Sequence, residues 1–277
     1  FEQRTAINAT VQVSDSGDPS LSTLAQVVVH LTDVAEGPVS RVGNDLVVQG
    51  TNAADTIYLW SGAAANTAYA WLNGTSFGPY QLPTGGRVIV YSGNGNDQVY
   101  ATDLRISARI YGEGGHDLIT GGSAADMLDG GDGVDRLWAG LGDDFVRGGD
   151  GNDLLYGREG NDILLGDTGT DYLEGFSGND VLIGGNGVDL LLGGAGEDLL
   201  IGGRTSYDSS ELSLASILAV WSSPGTFASR LAILTNPVSP IHLIQGDTIH
   251  DDHAVDCLLG EAGTDALFAN LGDLAVQ

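Results

Sequence analysis

The chain is poor in residues that cross-link proteins or carry positive charge. Its 277 residues include one cysteine, one methionine, seven prolines and no lysine, so that all ten basic residues are arginines. A single cysteine excludes an internal disulfide and a zinc site made of cysteines. No apolar run approaches the roughly 18 residues that a membrane-spanning helix needs. If the fold needs a stabilising cross-link besides its apolar core, that cross-link is neither a disulfide nor a cysteine-based zinc site.

Glycine and aspartate are abundant instead. There are 43 glycines and 37 acidic residues, mostly aspartate, and the net charge is −27. Such a charge argues against nucleic acid and anionic membranes as partners, because both would repel the chain. Glycine without a Gly-X-Y triplet excludes collagen, and 42% apolar residues are enough for a core. The composition therefore favours a folded protein that binds a cation.

A nine-residue pattern explains both residue types. Residues 148–166 read GGDGNDLLYGREGNDILLG, which is two copies of G-G-x-G-x-D-x-U-x, where U is large and apolar. Ten gapless copies fill residues 112–201, with aspartate always at position six and isoleucine, leucine or valine always at position eight. Chance does not produce such a register.

The pattern predicts a two-sided coil. Six glycine-rich residues form a turn that needs positive φ, and three residues form a short strand whose central side chain points inward. Two units close one turn, so alternate aspartates stack in two columns. Carboxylates about 5 Å apart repel by roughly 1 kcal/mol per pair in water. A cation is therefore expected between them, and a cage of about six oxygens suits Ca²⁺ better than Zn²⁺ or Mg²⁺.

We predict about eight Ca²⁺ ions, with four gaps between five loops on each edge. The predicted metal-site residues are Asp97, Asp117, Asp126, Asp135, Asp144, Asp153, Asp162, Asp171, Asp180, Asp189, Asp198, Gly112, Gly130, Gly148, Gly166, Gly184 and Gly193. Weaker or distorted sites are expected where the loops depart from the pattern, at Glu113, Ala124, Ala139, Arg158, Asp167 and Phe176. An unfolded tract or an ion-free solenoid remains the alternative.

These motifs resemble the RTX, or hemolysin-type, calcium-binding nonapeptide family over residues 112–201. The resemblance implies a parallel β-roll with Ca²⁺ between successive loops. Residues 1–36 resemble the last two strands of a cadherin-like domain, including the D-x-G-x-P stretch at 15–19, with a degraded linker motif at 33–37. Since the chain starts at Phe1 without a leader, we interpret it as the processed C-terminal part of a large secreted or cell-surface bacterial protein.

The flanks divide the chain further. We expect a cadherin-like hairpin remnant in 1–37, wider β coils capping the amino-terminal end in 38–111, the roll in 112–203, a helical excursion in 204–236, and closing coils in 237–277. Asp208-x-x-Glu211 predicts a helix capping box. The stretch HDDH at 250–253 is a calcium-type loop in poor register or a separate metal site. GTSFG at 74–78 matches a hydrolase nucleophile motif only formally, because no strand-to-helix turn is expected there.

Positions seven and nine point outward and are often apolar on both faces, which is too much exposed apolar surface for a free monomer. Two interpretations stay open. Either the helices, the hairpin and the closing coils cover the roll within one chain, or one face or the hairpin docks onto a neighbouring copy and forms an extended assembly.

The predicted fold class is all-β: a right-handed parallel β-roll or β-helix solenoid with an N-terminal β-hairpin and a short helical excursion near the C-terminus. The predicted function is a non-enzymatic, calcium-binding structural or adhesive module, extracellular or at the cell surface, without nucleic-acid partner or membrane span. The alternative function is the C-terminal secretion or folding domain of a secreted hydrolase, either a protease or a lipase.

Overall fold

The computed structural model describes residues 9–12, 24–27, 37–269 and 273–276. Most of this chain is β structure. In chain order the strands are β1 (Ala9–Gln12), β2 (Leu24–Val27), β3 (Val39–Val42), β4 (Asp45–Thr51), β5 (Thr56–Ser61), β6 (Thr67–Leu72), β7 (Thr75–Gln81), β8 (Val88–Gly93), β9 (Gln98–Asp103), β10 (Ala108–Tyr111), β11 (Gly114–Gly115), β12 (Leu118–Thr120), β13 (Met127–Gly133), β14 (Arg136–Leu141), β15 (Phe145–Asp150), β16 (Leu154–Glu159), β17 (Ile163–Gly169), β18 (Tyr172–Ser177), β19 (Val181–Gly187), β20 (Leu190–Ala195), β21 (Leu199–Ile201), β22 (Arg204–Thr205), β23 (Ile249–His250), β24 (Cys257–Ala262), β25 (Ala266–Phe268) and β26 (Leu274–Val276). The two helices are α1 (Glu211–Trp221) and α2 (Phe227–Leu234).

Two parallel sheets stack on each other to form a β-roll-like solenoid. The first sheet has the order β25-β21-β19-β17-β15-β13-β10-β8-β4-β3, with β11 beside β13, and the second has the order β26-β24-β20-β18-β16-β14-β12-β9-β5-β6-β7. Consecutive strands along the repeats alternate between the sheets, as a two-sided coil requires. The predicted fold class is confirmed in these features.

The register of the sheets follows the repeat. Leu137 pairs with Leu155, which pairs with Leu173, so equivalent residues two repeats apart are neighbours. All ten side chains at position eight are fully buried between the sheets: Ile119, Leu128, Leu137, Val146, Leu155, Leu164, Leu173, Leu182, Leu191 and Leu200. Each coil thus adds two apolar side chains to one continuous core.

Antiparallel strands close the amino-terminal end of both sheets. Strand β3 pairs antiparallel with β4 on the first sheet, and β6 and β7 extend the second sheet as a meander beyond β5. These strands lie within residues 38–111, for which the sequence predicts wider β coils that cap this end. Ser76, from the formal nucleophile motif, lies on β7 in this antiparallel edge.

The predicted N-terminal hairpin is present as β1 and β2, which pair antiparallel from Ala9 with Val27 to Gln12 with Leu24. The D-x-G-x-P stretch at 15–19 and most of the linker motif lie outside the described residues. The likeness to a cadherin-like domain therefore stays a prediction.

The helical excursion is inserted into a single repeat loop. The chain leaves the roll after Gly203 and returns near Asp252 through a neck in which β22 and β23 pair antiparallel. A Cβ on Gly202 would lie 2.5 Å from Asp256 Oδ2, as a Cβ on Gly193 would from Asp198 Oδ2. Gly202 and Asp256 therefore hold positions one and six of one loop.

Helix α1 begins two residues later than the capping box requires. Ser210 is the N-cap, and its Oγ accepts a hydrogen bond from Ser213 N at 3.2 Å. Asp208 instead accepts one from Thr205 N at 2.8 Å, which holds the neck of the insertion. The predicted capping box is therefore wrong. Among the described residues, no helix has both the length and the apolarity for a membrane span.

The inserted segment covers the outer face of the first sheet. Side chains of α1 and α2 pack there against a cluster that includes Phe145, Ile163, Leu165, Val181, Ile183, Leu199 and Ile201. Trp221 is fully buried, and its Nε1 donates to Glu197 O at 2.6 Å. The outer face of the second sheet differs, because its side chains at Leu154, Tyr156 and Tyr172 stay half-exposed.

Candidate metal centre

The turns between the strands depend on glycine at defined positions. At position four, Gly151 has a φ of 151°, and a Cβ there would lie 1.4 Å from Gly133 O in the preceding coil. No side chain fits this contact, so loops on one edge stack with their main chains touching. This close approach brings the aspartates and carbonyl groups of successive coils together.

The loops substituted at position two differ from the loop substituted at position four. At position two, Glu113, Arg158, Asp167 and Phe176 keep φ values of 67°, 82°, 70° and 73°, so the left-handed turn survives without glycine. The loop of Asp126, which has Ala124 at position four, is different. Gly122 and Ala124 lack the positive φ of their counterparts, and Gly122 N donates to Asp126 Oδ2 at 2.7 Å.

The aspartates at position six form two ladders. In each, the main-chain N–H of one aspartate donates to Oδ1 of the aspartate one coil further on, as from Asp135 to Asp153 at 2.8 Å and from Asp144 to Asp162 at 2.8 Å. The first ladder contains Asp55, Asp97, Asp117, Asp135, Asp153, Asp171, Asp189, Asp256 and Asp273. The second contains Asp126, Asp144, Asp162, Asp180, Asp198 and Asp265.

The second carboxylate oxygen is buried and unsatisfied through most of both ladders. Within the described part of the chain, Oδ2 accepts no hydrogen bond in Asp117, Asp135, Asp144, Asp153, Asp162, Asp171, Asp180, Asp189, Asp198 and Asp256. A buried polar atom without a partner costs about 1–3 kcal/mol, and more when it is charged. A row of such atoms calls for a positively charged partner.

The glycines at position one lie beside these oxygens. A Cβ on Gly148 would lie 2.5 Å from Asp153 Oδ2 and 2.9 Å from Gly166 O of the next coil. Built Cβ atoms meet the same pair, a carboxylate oxygen and a carbonyl oxygen, at Gly112, Gly130, Gly166, Gly184 and Gly193. Glycine at this position thus lets carboxylate and main-chain oxygens converge.

The electrostatics of the ladders follow from burial. Desolvation raises the pKa of Asp153 and Asp162 to about 7, of Asp171 to about 8 and of Asp180 to about 9. The main-chain hydrogen bond from the preceding coil lowers each pKa by less than burial raises it. Neighbouring carboxylates contribute a smaller rise at Asp153, Asp171 and Asp180. Burial, rather than the mutual repulsion considered from the sequence, is the larger cost of keeping these groups charged.

The donor set fits a hard cation. Nowhere in the described ranges do three or more His, Cys, Asp or Glu side chains converge. A cation at these loops would be held by the unpartnered aspartate Oδ2 atoms and by main-chain carbonyls. Ca²⁺ accepts such all-oxygen sets, whereas Zn²⁺ prefers nitrogen and sulfur. The orphaned Oδ2 atoms and the glycine contacts therefore fit Ca²⁺.

The structure places every predicted aspartate in a ladder, and the predicted glycines at position one. Asp126 differs from the rest because its Oδ2 is already hydrogen-bonded. The predicted metal-site residues do not include Asp55, Asp256, Asp265 and Asp273, which extend the ladders. Nine-residue spacing marks the first three, and an aspartate before an apolar triplet marks the fourth.

The stretch HDDH does not converge on one point. Asp252 Oδ2 accepts a hydrogen bond from Gly187 N at 2.6 Å, His253 pairs with Asp251 at 2.9 Å, and His250 lies on β23 beside Ser206. These residues form part of the returning loop rather than a separate metal cluster.

Comparison with known families agrees with the ladders. The family model for the RTX calcium-binding nonapeptide repeat matches the chain in four copies, at residues 84–103, 109–137, 138–173 and 174–205. No curated protein and no solved structure gives a significant match. The chain therefore contains RTX calcium-binding repeats, which bind Ca²⁺ and are typical of secreted bacterial proteins. The first copy begins at residue 84, within the stretch interpreted from the sequence as a wider cap.

Proposed function

We propose that this chain is a calcium-folded, non-enzymatic structural module of a secreted or cell-surface protein. The observation that carries the proposal is the pair of aspartate ladders, whose buried Oδ2 atoms have no hydrogen-bond partner across most of their length. When bound, Ca²⁺ supplies the positive charge that these carboxylates need. Binding free energy then becomes folding free energy, because the ladders do not exist in the unfolded chain.

The residues of the chain have distinct parts in this mechanism. The aspartate Oδ1 atoms join successive coils through main-chain hydrogen bonds, and the Oδ2 atoms remain available to the cation. Glycines at positions one and four allow the coils to approach each other. In a cell, where Ca²⁺ is scarce, the same ladders would oppose folding, and outside the cell they would complete it.

Calcium dependence is tested by circular dichroism and size analysis of the whole chain, unfolded and refolded in chelator so that no ion stays trapped. We expect little β structure in chelator, recovery in millimolar Ca²⁺, and no comparable recovery with Mg²⁺ as the matched control. A full β spectrum after refolding in chelator would contradict the proposal.

We further propose an adhesive role for the outer face of the second sheet, with self-association as one form of it. The support is the asymmetry between the faces: the inserted helices cover the first sheet, whereas Tyr58, Leu141 and Phe176 on the second-sheet side are 45%, 45% and 42% exposed. Light scattering in millimolar Ca²⁺ tests self-association, and a monodisperse monomer at all concentrations would exclude it.

A further inference from the structure

The outer face of the second sheet carries a ladder of stacked aromatic rings with one gap. Tyr58 stacks on Tyr100 with centroids 4.9 Å apart, and Trp138 stacks on Tyr156 with centroids 5.3 Å apart. The strand between these pairs places Thr120 in register with both Tyr100 and Trp138. A small side chain therefore occupies the position where a further ring would continue the ladder.

The gap is also a notch in the sheet. Strand β12 has three residues, whereas its neighbours β9 and β14 have six each. The result is a cavity of about 490 Å³ whose lining includes Tyr100, Thr120, Trp138, Leu141, Arg158 and Glu159.

The width of the notch matches one ring. Tyr100 and Trp138 are two strand spacings apart, roughly 9.6 Å. Because each is stacked on one side, by Tyr58 and Tyr156 respectively, each turns its other ring face towards the gap. A ring placed midway would lie about 4.8 Å from both, close to the separations already present in this ladder.

The rim of the notch is polar. Arg158 and Glu159 are exposed, and their side chains make no hydrogen bond or ion pair with any described residue. A guanidinium donor beside a carboxylate acceptor can bind a pair of hydroxyl groups. The net charge of −27 repels anionic ligands. Apolar ring faces with a hydroxyl-binding rim are what a neutral sugar ring requires.

We infer that this notch binds one pyranose ring of a neutral glycan, with its C–H faces between Tyr100 and Trp138 and its hydroxyls on Arg158 and Glu159. The inference rests on the proposed calcium-folded module, since the notch exists only when the coils are stacked. It gives the proposed adhesive face a ligand class.

The test is a titration of the full chain, in millimolar Ca²⁺, with cellohexaose, maltohexaose, mannohexaose and chitohexaose. Binding is measured by calorimetry and by tryptophan fluorescence. We expect saturable binding of at least one of these sugars. Thr120→Tyr, which fills the notch and completes the ladder, should abolish binding. Trp138→Ala should raise Kd about tenfold, since it removes one ring face.

Tyr91→Ala is the matched control, because Tyr91 stacks on Tyr111 at 5.1 Å on the opposite sheet and should leave Kd unchanged. Circular dichroism of every variant in Ca²⁺ separates the two proposals. If Ca²⁺ induces no β spectrum in the unmodified chain, the proposed calcium-folded module is contradicted. A folded chain that binds none of the four sugars, or a folded Thr120→Tyr variant that binds as well as the parent, would overturn this inference alone.

Discussion

Asp153 and Asp126 hold the same position of the repeat, but their carboxylates accept different numbers of main-chain hydrogen bonds. Asp153 Oδ1 accepts one main-chain hydrogen bond, from Asp135, and its Oδ2 is buried without a partner. Asp126 accepts two, from Ala108 N at 2.7 Å and Gly122 N at 2.7 Å. Burial raises the pKa of Asp153 to about 7 and that of Asp126 to about 6, where both main-chain bonds counteract it. A local N–H can thus replace part of what a cation supplies.

The largest expected effect concerns all unsatisfied carboxylates at once. Without Ca²⁺, burial raises their folded pKa values above the unfolded value near 3.9, for example to about 6 at Asp256 and to about 9 at Asp180. The folded state then binds more protons, so stability is fully present below the unfolded pKa and is lost as pH rises from there to the folded values, by about 1.4 kcal/mol per pH unit for each carboxylate. In chelator we expect β structure at pH 3.5, below the unfolded pKa, and its loss by pH 8, measured by circular dichroism.

Saturating Ca²⁺ should reverse this trend. A bound cation favours the charged carboxylates and moves their folded pKa values below the unfolded one, so stability is gained as pH rises. Thermal melts in Ca²⁺ at the same pH values provide the control. If stability changed with pH in the same direction in both conditions, the ladders would not be the titrating groups that control folding.

Much of this arrangement follows from the sequence because the repeat fixes it. Position eight dictates the core, as Leu155 and Leu164 show, and position six dictates both ladders. The insertion was harder to predict, because its closing residue, Asp256, lies far along the chain from Gly202 and only the stacked coils bring them together. The start of α1 was misjudged because both Asp208 and Ser210 are good caps, and the neck of the insertion engages Asp208.

The sequence predicts only part of the difference between the loop of Asp126 and the regular loops. Ala124 marks an irregular loop, but the sequence does not tell that Gly122 N turns inwards to bind the carboxylate. Likewise, the apolar residues of positions seven and nine predict that something covers the roll. Which face α1 and α2 cover depends on where the neck leaves the first sheet, after β21.

Replacing Asp153 and Asp126 by asparagine should distinguish the carboxylate that needs a cation from the carboxylate that main-chain N–H groups already bind. In Asp153→Asn, the remaining oxygen keeps the bond from Asp135, and folding in chelator no longer requires this buried carboxylate to take up a proton. We expect greater stability in chelator and an approximately tenfold higher Ca²⁺ concentration at the folding midpoint. The measurements are a Ca²⁺ titration monitored by circular dichroism and the pH at which β structure is lost in chelator, with urea unfolding in chelator at pH 3.5, where the β structure is expected to persist.

Asp126→Asn is the matched comparison. Its single oxygen cannot accept from both Ala108 N and Gly122 N, so one buried N–H faces an amide group and stability falls by about 1–3 kcal/mol in chelator and in Ca²⁺ alike. If both variants changed stability and Ca²⁺ dependence equally, the loops of Asp153 and Asp126 would not differ in how they bind the carboxylate.

The smallest expected effect comes from restoring the regular sequence in the irregular loop. Ala124→Gly returns glycine to position four, where the glycines of the other loops have φ values between 122° and 155°. We expect the loop to adopt the regular turn, release Asp126 Oδ2 from Gly122 N and thereby strengthen Ca²⁺ binding at this edge, because the freed oxygen faces the cation instead. Calorimetric titration should show a higher affinity or one additional ion, while stability in chelator falls slightly as the hydrogen bond is lost. Unchanged Ca²⁺ stoichiometry and affinity would mean that the neighbouring Ala139, at position one of the facing loop, rather than Ala124, sets the irregular turn.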